Sequence, residues 1–169
     1  MTLTGQSIKR KEDQRFITGK GRYTDDLVLP NQCYAHFVRS SLAHAAIKSV
    51  KIGDLESQPG VKRILTGKDY SESGLGTLMC GWMIHSKDGS EMKSGLHPPL
   101  VMEKARYVGD PIAVVIADSK EIARTTAENV EVEYEELPVI VDPFKAELEG
   151  APVLREDIAD KKEGAHGPR

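Results

Sequence analysis

The stretch that decides the fold class is residues 106–134, which read RYVGDPIAVVIADSKEIARTTAENVEVEY. Residues 112–117 form a short apolar run rich in β-branched side chains, which is typical of a strand covered on both faces. A turn at residues 109–111 opens this strand. Five residues then recur at helical spacing on one stripe, and residues 130–135 alternate valine with glutamate, as in a half-exposed strand. The stripe consists of Ile122, Ala123, Thr126, Ala127 and Val130. The stretch therefore predicts strand, helix and strand, and none of its residues performs chemistry alone.

The start of this helix is predicted from capping chemistry. Asp118 and Glu121 have the spacing of a capping box, in which an N-terminal side chain and one three residues later bond reciprocally to the backbone. The sequence therefore predicts a helix that is capped by Asp118 and continues to Ala127.

Further strands are predicted upstream. Residues 33–39 and 46–52 alternate in character, are separated by a turn at 40–44 and could pair as neighbours. Residues 61–65 read as a brief strand after a short helix capped by Asp54. Residues 70–95 are glycine-rich and lack periodicity, which indicates a long surface loop. Residues 98–102 and 104–107 resemble a short hairpin.

Composition limits the class of protein. The 169 residues suit one domain, and with 39% apolar but only 5% aromatic residues the core should be aliphatic. No apolar run approaches the roughly 20 residues of a membrane span, and the polar N-terminus lacks a secretory signal, so a cytoplasmic protein is expected. The net charge of −3, with both signs spread along the chain, argues against a nucleic-acid partner.

Residues able to do chemistry are scattered. The five histidines do not pair at metal-ligand spacing, although a site built from Cys80, His85 and His97 is conceivable. Cys33 is expected to be a small buried hydrophobe, and neither cysteine is expected in a disulfide. The glutamates of residues 131–135 are best explained as a solvated strand face. We therefore assign no catalytic, cofactor-binding or metal-binding residue to this chain.

Several segments in a fixed order resemble one family. They are IKRKED at 8–13 with RF at 15–16, TGKGRYTDD at 18–26, FVRSS at 37–41, AHA at 43–45, PGV at 59–61, LTG at 65–67, RYVGDP at 106–111, residues 131–138 and VDP at 141–143. The set resembles the N-terminal part of the large subunit of molybdenum hydroxylases, the xanthine dehydrogenase and aldehyde oxidase family. APVLREDI at 151–158 and GAHG at 164–167 are most similar to carbon monoxide dehydrogenase-type members.

This resemblance implies an α+β fold, the α/β hammerhead, with a mixed sheet, one main capped helix and a shorter one. It implies a hammerhead domain over residues 1–145, and a linker at 146–169 toward molybdopterin-binding domains that are absent here. The family's cofactor loops and catalytic glutamate lie in those later domains. No cofactor is thus expected in this chain, whereas the parent enzyme would hold molybdopterin with molybdenum, and partner subunits would hold iron–sulfur centres and FAD.

Two functions of different class follow. The first is a structural domain of an oxidoreductase, inactive by itself, that packs against the other domains of the large subunit and against iron–sulfur and flavin subunits. The alternative is a free-standing binding or assembly module with the same fold and no redox activity. A reading frame beyond Arg169 with glycine-rich cofactor loops would favour the first.

An interface is predicted near the N-terminus. Arg15, Phe16, Arg22 and Tyr23 are residue types enriched at protein interfaces, and residues 15–26 have no periodicity that would bury them. We expect this segment, and the charged tail after Pro152, to be loosely held in the isolated chain.

Overall fold

The computed structural model describes residues 5, 7–78, 81–82, 84–93 and 95–158. The chain divides into two compact units, residues 1–32 and residues 33–169. The first unit contains helix α1 (Asp13–Ile17) and a 3₁₀ turn (Thr24–Asp26), neither of which has a buried residue.

The second unit carries the remaining elements. The strands are β1 (Tyr34–Arg39), β2 (Ala45–Lys51), β3 (Val61–Thr66), β4 (Lys104–Ala105), β5 (Pro111–Ala117) and β6 (Glu131–Glu136). The helices are α2 (Gly67–Glu72), α3 (Lys120–Glu128) and α4 (Pro143–Ala146), with a 3₁₀ helix at Gly53–Ser57. Helices combined with antiparallel strands confirm the α+β class. Helix α3 is the main helix expected, and α1, α2 and α4 are shorter.

The strands pair differently from the mixed sheet that was expected. Over the described residues they form two three-stranded sheets, in the orders β1-β5-β3 and β4-β2-β6, and all the pairings within these sheets are antiparallel. The proposed pairing of the first two strands is wrong, because β1 pairs with β5 whereas β2 pairs with β4 and β6. Helix α3 accordingly connects a strand of one sheet to a strand of the other.

Strand β5 lies at the centre of the core. It is hydrogen-bonded on both sides, so that Val114 is opposite Phe37 of β1 and Leu65 of β3. Its side chains at Ile112, Ala113, Val115 and Ala117 are fully buried, which confirms the predicted covered strand. Helix α3 packs on this sheet through the predicted stripe, with Ala127 and the following Val130 joining one aliphatic cluster with Val38, Ile64 and Val115.

The N-cap of α3 lies one residue after the predicted one, Asp118. Ser119 is the N-cap, and its hydroxyl accepts the Ile122 N–H at 3.1 Å. Asp118 instead ends the strand region, because its N–H bonds to the Gly60 carbonyl and its carboxylate lies 3.0 Å from the Lys62 ammonium. That ion pair raises the pKa of Lys62, mainly through the hydrogen bond to Asp118.

Two other local predictions need correction. Asp54 does not cap the short helix, which follows Ile52 and has no side-chain cap. The predicted hairpin at 98–107 is also wrong, because Val101 donates to the Pro111 carbonyl and β4 pairs with β2.

Helix α2 was not predicted, and its second half, from Tyr70, lies in the region predicted as a long loop. Thr66 and Asp69 form a capping box at its start, and the hydrogen bond from the Thr66 hydroxyl lowers the pKa of Asp69. Gly67 lies so close to the backbone of Val101 that a Cβ would overlap it.

Two surface features complete the fold. Cys33 is exposed, contrary to the expectation of a buried thiol, because it precedes β1 and lies outside the sheet. Within the described ranges, the helices are all too short or too polar for a membrane span.

Candidate interaction site

The predicted interface residues form an aromatic cluster in the first unit. The rings of Phe16 and Tyr23 stack with centroids 5.3 Å apart and planes 8° from parallel. The Arg15 guanidinium carbon lies 5.0 Å from the centre of the Phe16 ring, within range of a cation–π contact. The structure therefore brings together Arg15, Phe16 and Tyr23. Arg22 is exposed beside them and is not part of the stack.

Glycines allow this stack to form. A Cβ at Gly21 would overlap the Phe16 ring, so the ring packs directly on the backbone there. Gly19 has a φ of 69°, a left-handed conformation that lets the chain reverse after α1. Lys20 N–H then bonds to the Arg15 carbonyl at 2.8 Å. The TGKGRY sequence is thus a tight turn that places Tyr23 over Phe16.

Tyr23 is held at its backbone but open at its side chain. Its N–H donates to the Asp26 carboxylate at 2.8 Å, while its side chain remains largely exposed. An exposed aromatic–arginine cluster on a fixed turn is suited to contact another protein surface. Its role as an interface remains a prediction.

Groups able to perform acid–base or metal chemistry are dispersed. Among the described residues, histidine, cysteine, aspartate and glutamate nowhere form a group of three or more that could hold a metal ion. The backbones of His85 and Glu91 form an isolated antiparallel β-bridge. Cys80, which belongs to the same conceivable metal site as His85, lies outside the described residues. His166 lies outside them as well.

The glutamates of β6 are exposed, as predicted. Glu131 lies 3.9 Å from the Lys51 ammonium, Glu133 accepts the Ser49 hydroxyl, and Glu135 pairs with Lys48. The hydrogen bond from Lys48 lowers the pKa of Glu135, which keeps the carboxylate ionised. Ionised carboxylates paired with lysines across a sheet stabilise its surface and are poor general acids.

His44 is a buried histidine, and one of its ring nitrogens has a structural role. Its Nδ1 lies 2.7 Å from the Pro138 carbonyl oxygen, which can only accept, so this nitrogen donates. The Leu137 N–H also bonds to the His44 carbonyl. Nε2 is buried and has no hydrogen-bond partner within the part of the chain described. His44 thus fixes the chain where it leaves β6.

The RYVGDP motif is a hydrogen-bonded turn. The buried Asp110 carboxylate accepts the Arg106 N–H at 2.9 Å, and Ser40 N–H bonds to the Asp110 carbonyl. Burial, and then the nearby Asp110 carboxylate, raise the pKa of Tyr107. Gly109, with a φ of 93°, allows the reversal. All these bonds serve to start β5 beside the end of β1.

The tail segment, defined as residues 154–157, is tied to the domain. Arg155 donates two hydrogen bonds to the Asp157 carboxylate. The two side chains also bind the backbone of Leu96. Arg155 Nη2 donates to the Leu96 carbonyl, and the Leu96 N–H donates to the Asp157 carboxylate, each at 2.6 Å. The hydrogen bonds from Arg155 lower the pKa of Asp157 to about 2. Arg106 also donates to the Leu154 carbonyl at 3.0 Å, and Lys104 pairs with Glu156. The expectation of a loosely held tail is therefore wrong for these residues.

The tail segment borders a groove of about 410 Å³. It is lined by apolar and charged side chains. The apolar ones include Leu75, Leu96, Pro98, Leu100, Val101 and Met102, and the charged ones are Glu103, Lys104, Arg106 and Asp157. Lys104, Arg106 and Asp157 are already engaged in the tail contacts described above.

Comparison with known proteins identifies the family. Residues 18–138 match the aldehyde oxidase and xanthine dehydrogenase a/b hammerhead domain. The chain belongs to this family. The α/β hammerhead fold expected from the sequence is therefore confirmed.

The relatives that this chain matches are much longer than it is. It is 42% identical over 169 residues to the carbon monoxide dehydrogenase large chain of Afipia carboxidovorans, covering 99% of this chain and 20% of the relative. It is 35% identical over 137 residues to the xanthine dehydrogenase molybdenum-binding subunit of Escherichia coli O157:H7, covering 80% of this chain and 17% of that subunit. A crystal structure of Cu,Mo-CO dehydrogenase superposes with a TM-score of 0.75 and 42% identity, over 98% of this chain and 19% of that chain. The chain thus spans about a fifth of the length of these relatives.

Proposed function

We propose that this chain is a structural domain at the N-terminal end of a molybdenum hydroxylase large subunit, and that it has no catalytic activity alone. The observation that carries the proposal is the 42% identity to a carbon monoxide dehydrogenase large chain over 99% of this chain but only 20% of that relative. The identity to the xanthine dehydrogenase subunit is lower, at 35%. This difference supports a parent enzyme of the carbon monoxide dehydrogenase type.

The cofactor of the proposed parent is molybdopterin with molybdenum, and the donor groups that the described residues offer do not fit it. The exposed carboxylates of Glu131, Glu133 and Glu135 are engaged by Lys51, Ser49 and Lys48, respectively. The buried carboxylate of Asp110 accepts a backbone N–H within its own turn. The chain's own residues therefore build a folded support, and molybdenum chemistry belongs to other parts of the parent.

The proposed domain boundaries rest on the similarity to the hammerhead domain of this family. Residues 1–145 would be the hammerhead domain, and the match over residues 18–138 lies within them. Residues 146–169 would lead to the molybdopterin-binding domains. Iron–sulfur and flavin subunits would be the external partners, with Arg15, Phe16, Arg22 and Tyr23 facing them or the other domains, in the cytoplasm.

Molybdenum analysis tests the proposal. A tagged copy purified after recombinant expression alone should contain no stoichiometric molybdenum and should oxidise neither carbon monoxide, an aldehyde nor a purine. The same tagged copy isolated from the cells that produce it should co-purify with molybdenum. Stoichiometric molybdenum in the isolated chain would refute the structural role. A native preparation without molybdenum would favour the free-standing module instead.

A further inference from the structure

A stretch after β6 displays large apolar side chains to solvent. In residues 139–148, here called the arch, Val141 is 86% and Phe144 is 83% exposed, and Val139 and Leu148 are also exposed. Single exposed apolar residues are ordinary on protein surfaces, whereas a cluster usually marks an interaction site. Four within ten residues therefore call for a partner surface.

Both ends of the arch are fixed to the domain. Before it, buried His44 holds Leu137 and Pro138 through hydrogen bonds of 3.0 and 2.7 Å. After it, the tail segment is fastened to Leu96 and to Arg106. The arch is thus a bridge between two anchored points.

The centre of the arch is also ordered. The Asp142 carboxylate accepts the Phe144 N–H at 3.0 Å and caps α4, which has Pro143 in its first turn. Proline is favoured there because its fixed φ suits a helix start and its missing N–H leaves no bond unmade. Phe144 is therefore presented outward by a capped turn. A surface fixed before binding loses little conformational entropy when a partner covers it.

We infer that the arch is the docking site for a part of the parent large subunit outside these 169 residues. This inference rests on the proposed function. The relative that matches 99% of this chain has about four-fifths of its own length beyond the matched part. The arch carries Asp142, Lys145 and Glu147, so its charges nearly cancel and it suits an apolar protein surface rather than a polyanion.

The test compares two matched substitutions in the native assembly. Phe144→Asp places a charge in the arch, and Val108→Asp places one at another exposed apolar position, 65% exposed, on the turn before β5. Each variant is tagged, produced in the cells that make the protein, and purified, and its co-purifying molybdenum is measured. Phe144→Asp should retain less than a tenth of the wild-type molybdenum, whereas Val108→Asp should retain most of it.

Folding is checked on the isolated variants. Both should keep the wild-type circular dichroism spectrum and denaturation midpoint, because neither side chain is buried. Full retention of molybdenum by Phe144→Asp, equal loss by both variants, or loss explained by a shifted midpoint would overturn the inference. So would a dimer of the isolated chain in sedimentation that Phe144→Asp dissociates, since a second copy would then occupy the arch.

The result separates the two proposals. If wild-type protein from its own cells carries no molybdenum, the proposed function fails and the inference falls with it. If wild type and Phe144→Asp both carry molybdenum, the function stands and the inference alone is wrong.

Discussion

Strand β5 and the arch are both rich in apolar side chains, yet β5 buries them and the arch exposes them. Ile112 and Val115 of β5 are 0% exposed, whereas Val141 and Phe144 of the arch are more than 80% exposed. The difference lies in their neighbours. Strand β5 has a hydrogen-bonded strand on each side and α3 on one face, whereas the described contacts of the arch are those at the anchored points around it and at the α4 cap. Burial is therefore decided by what packs against a segment and not by its hydrophobicity.

The largest expected contrast is in backbone protection. Amides of residues 112–117 should exchange only through global unfolding, which for a domain corresponds to about 5 kcal/mol or more. Amides of residues 15–26, in the other unit, should exchange through local opening at far lower free energy. Hydrogen exchange followed by mass spectrometry on the isolated chain measures both. Protection of residues 15–26 equal to that of β5 would mean that this segment belongs to a stable core, and the aromatic cluster would then lose its interface assignment.

A pair of identical substitutions sharpens the same contrast. Val115→Ala should lower the free energy of unfolding by about 2 kcal/mol, because it removes two buried methyl groups and leaves a cavity. Val141→Ala, in the exposed arch, should change it by less than about 0.5 kcal/mol. Urea denaturation of both variants provides the comparison. Equal losses would show that the arch is packed in the isolated chain.

The next effect concerns the helix that covers β5. Ser119→Ala should destabilise the domain by about 1 kcal/mol, since it removes the N-cap hydrogen bond to Ile122. Asp118→Ala should have a smaller effect, because its pair with Lys62 is at the surface, where solvent screens the two charges. The reverse order of denaturation midpoints would restore Asp118 as the cap.

The smallest effect concerns the anchor at the end of the arch. The pKa of Asp157 is lowered to about 2 by Arg155, so its contribution to stability is present above the ordinary aspartate pKa near 3.8 and is lost as the pH falls toward 2. The amide resonance of Leu96, which donates to Asp157, should titrate in that window. In Asp157→Asn this titration should disappear. A Leu96 amide that titrates near pH 4 in the wild type would show that the Arg155–Asp157 contact does not form in solution.

The candidate site was predictable only in part. The residue types of Arg15, Phe16 and Tyr23 indicated an interface, but their stacking depends on a close approach at Gly21 that composition does not reveal. The arch was missed because its apolar residues, Val139, Val141 and Phe144, do not keep one helical or strand period along the segment. The anchoring of the tail segment was missed because Leu96 and Asp157 are far apart in sequence and meet only after folding.

The sequence by itself determined the elements whose signals are local. The apolar run of β5, the stripe of α3 and the Val–Glu alternation of β6 each follow from the period at which side chains face a core. The ordered motifs also sufficed to indicate the family. Tertiary structure alone decided which strands are neighbours, because antiparallel pairing joins residues distant in sequence and similar strand patterns allow several partners. Tertiary structure also decided that Ser119 and not Asp118 caps α3, because Asp118 bonds to the Gly60 carbonyl and to Lys62 of β3. The apolar side chains of the arch are exposed because no element packs over them within the described part of the chain.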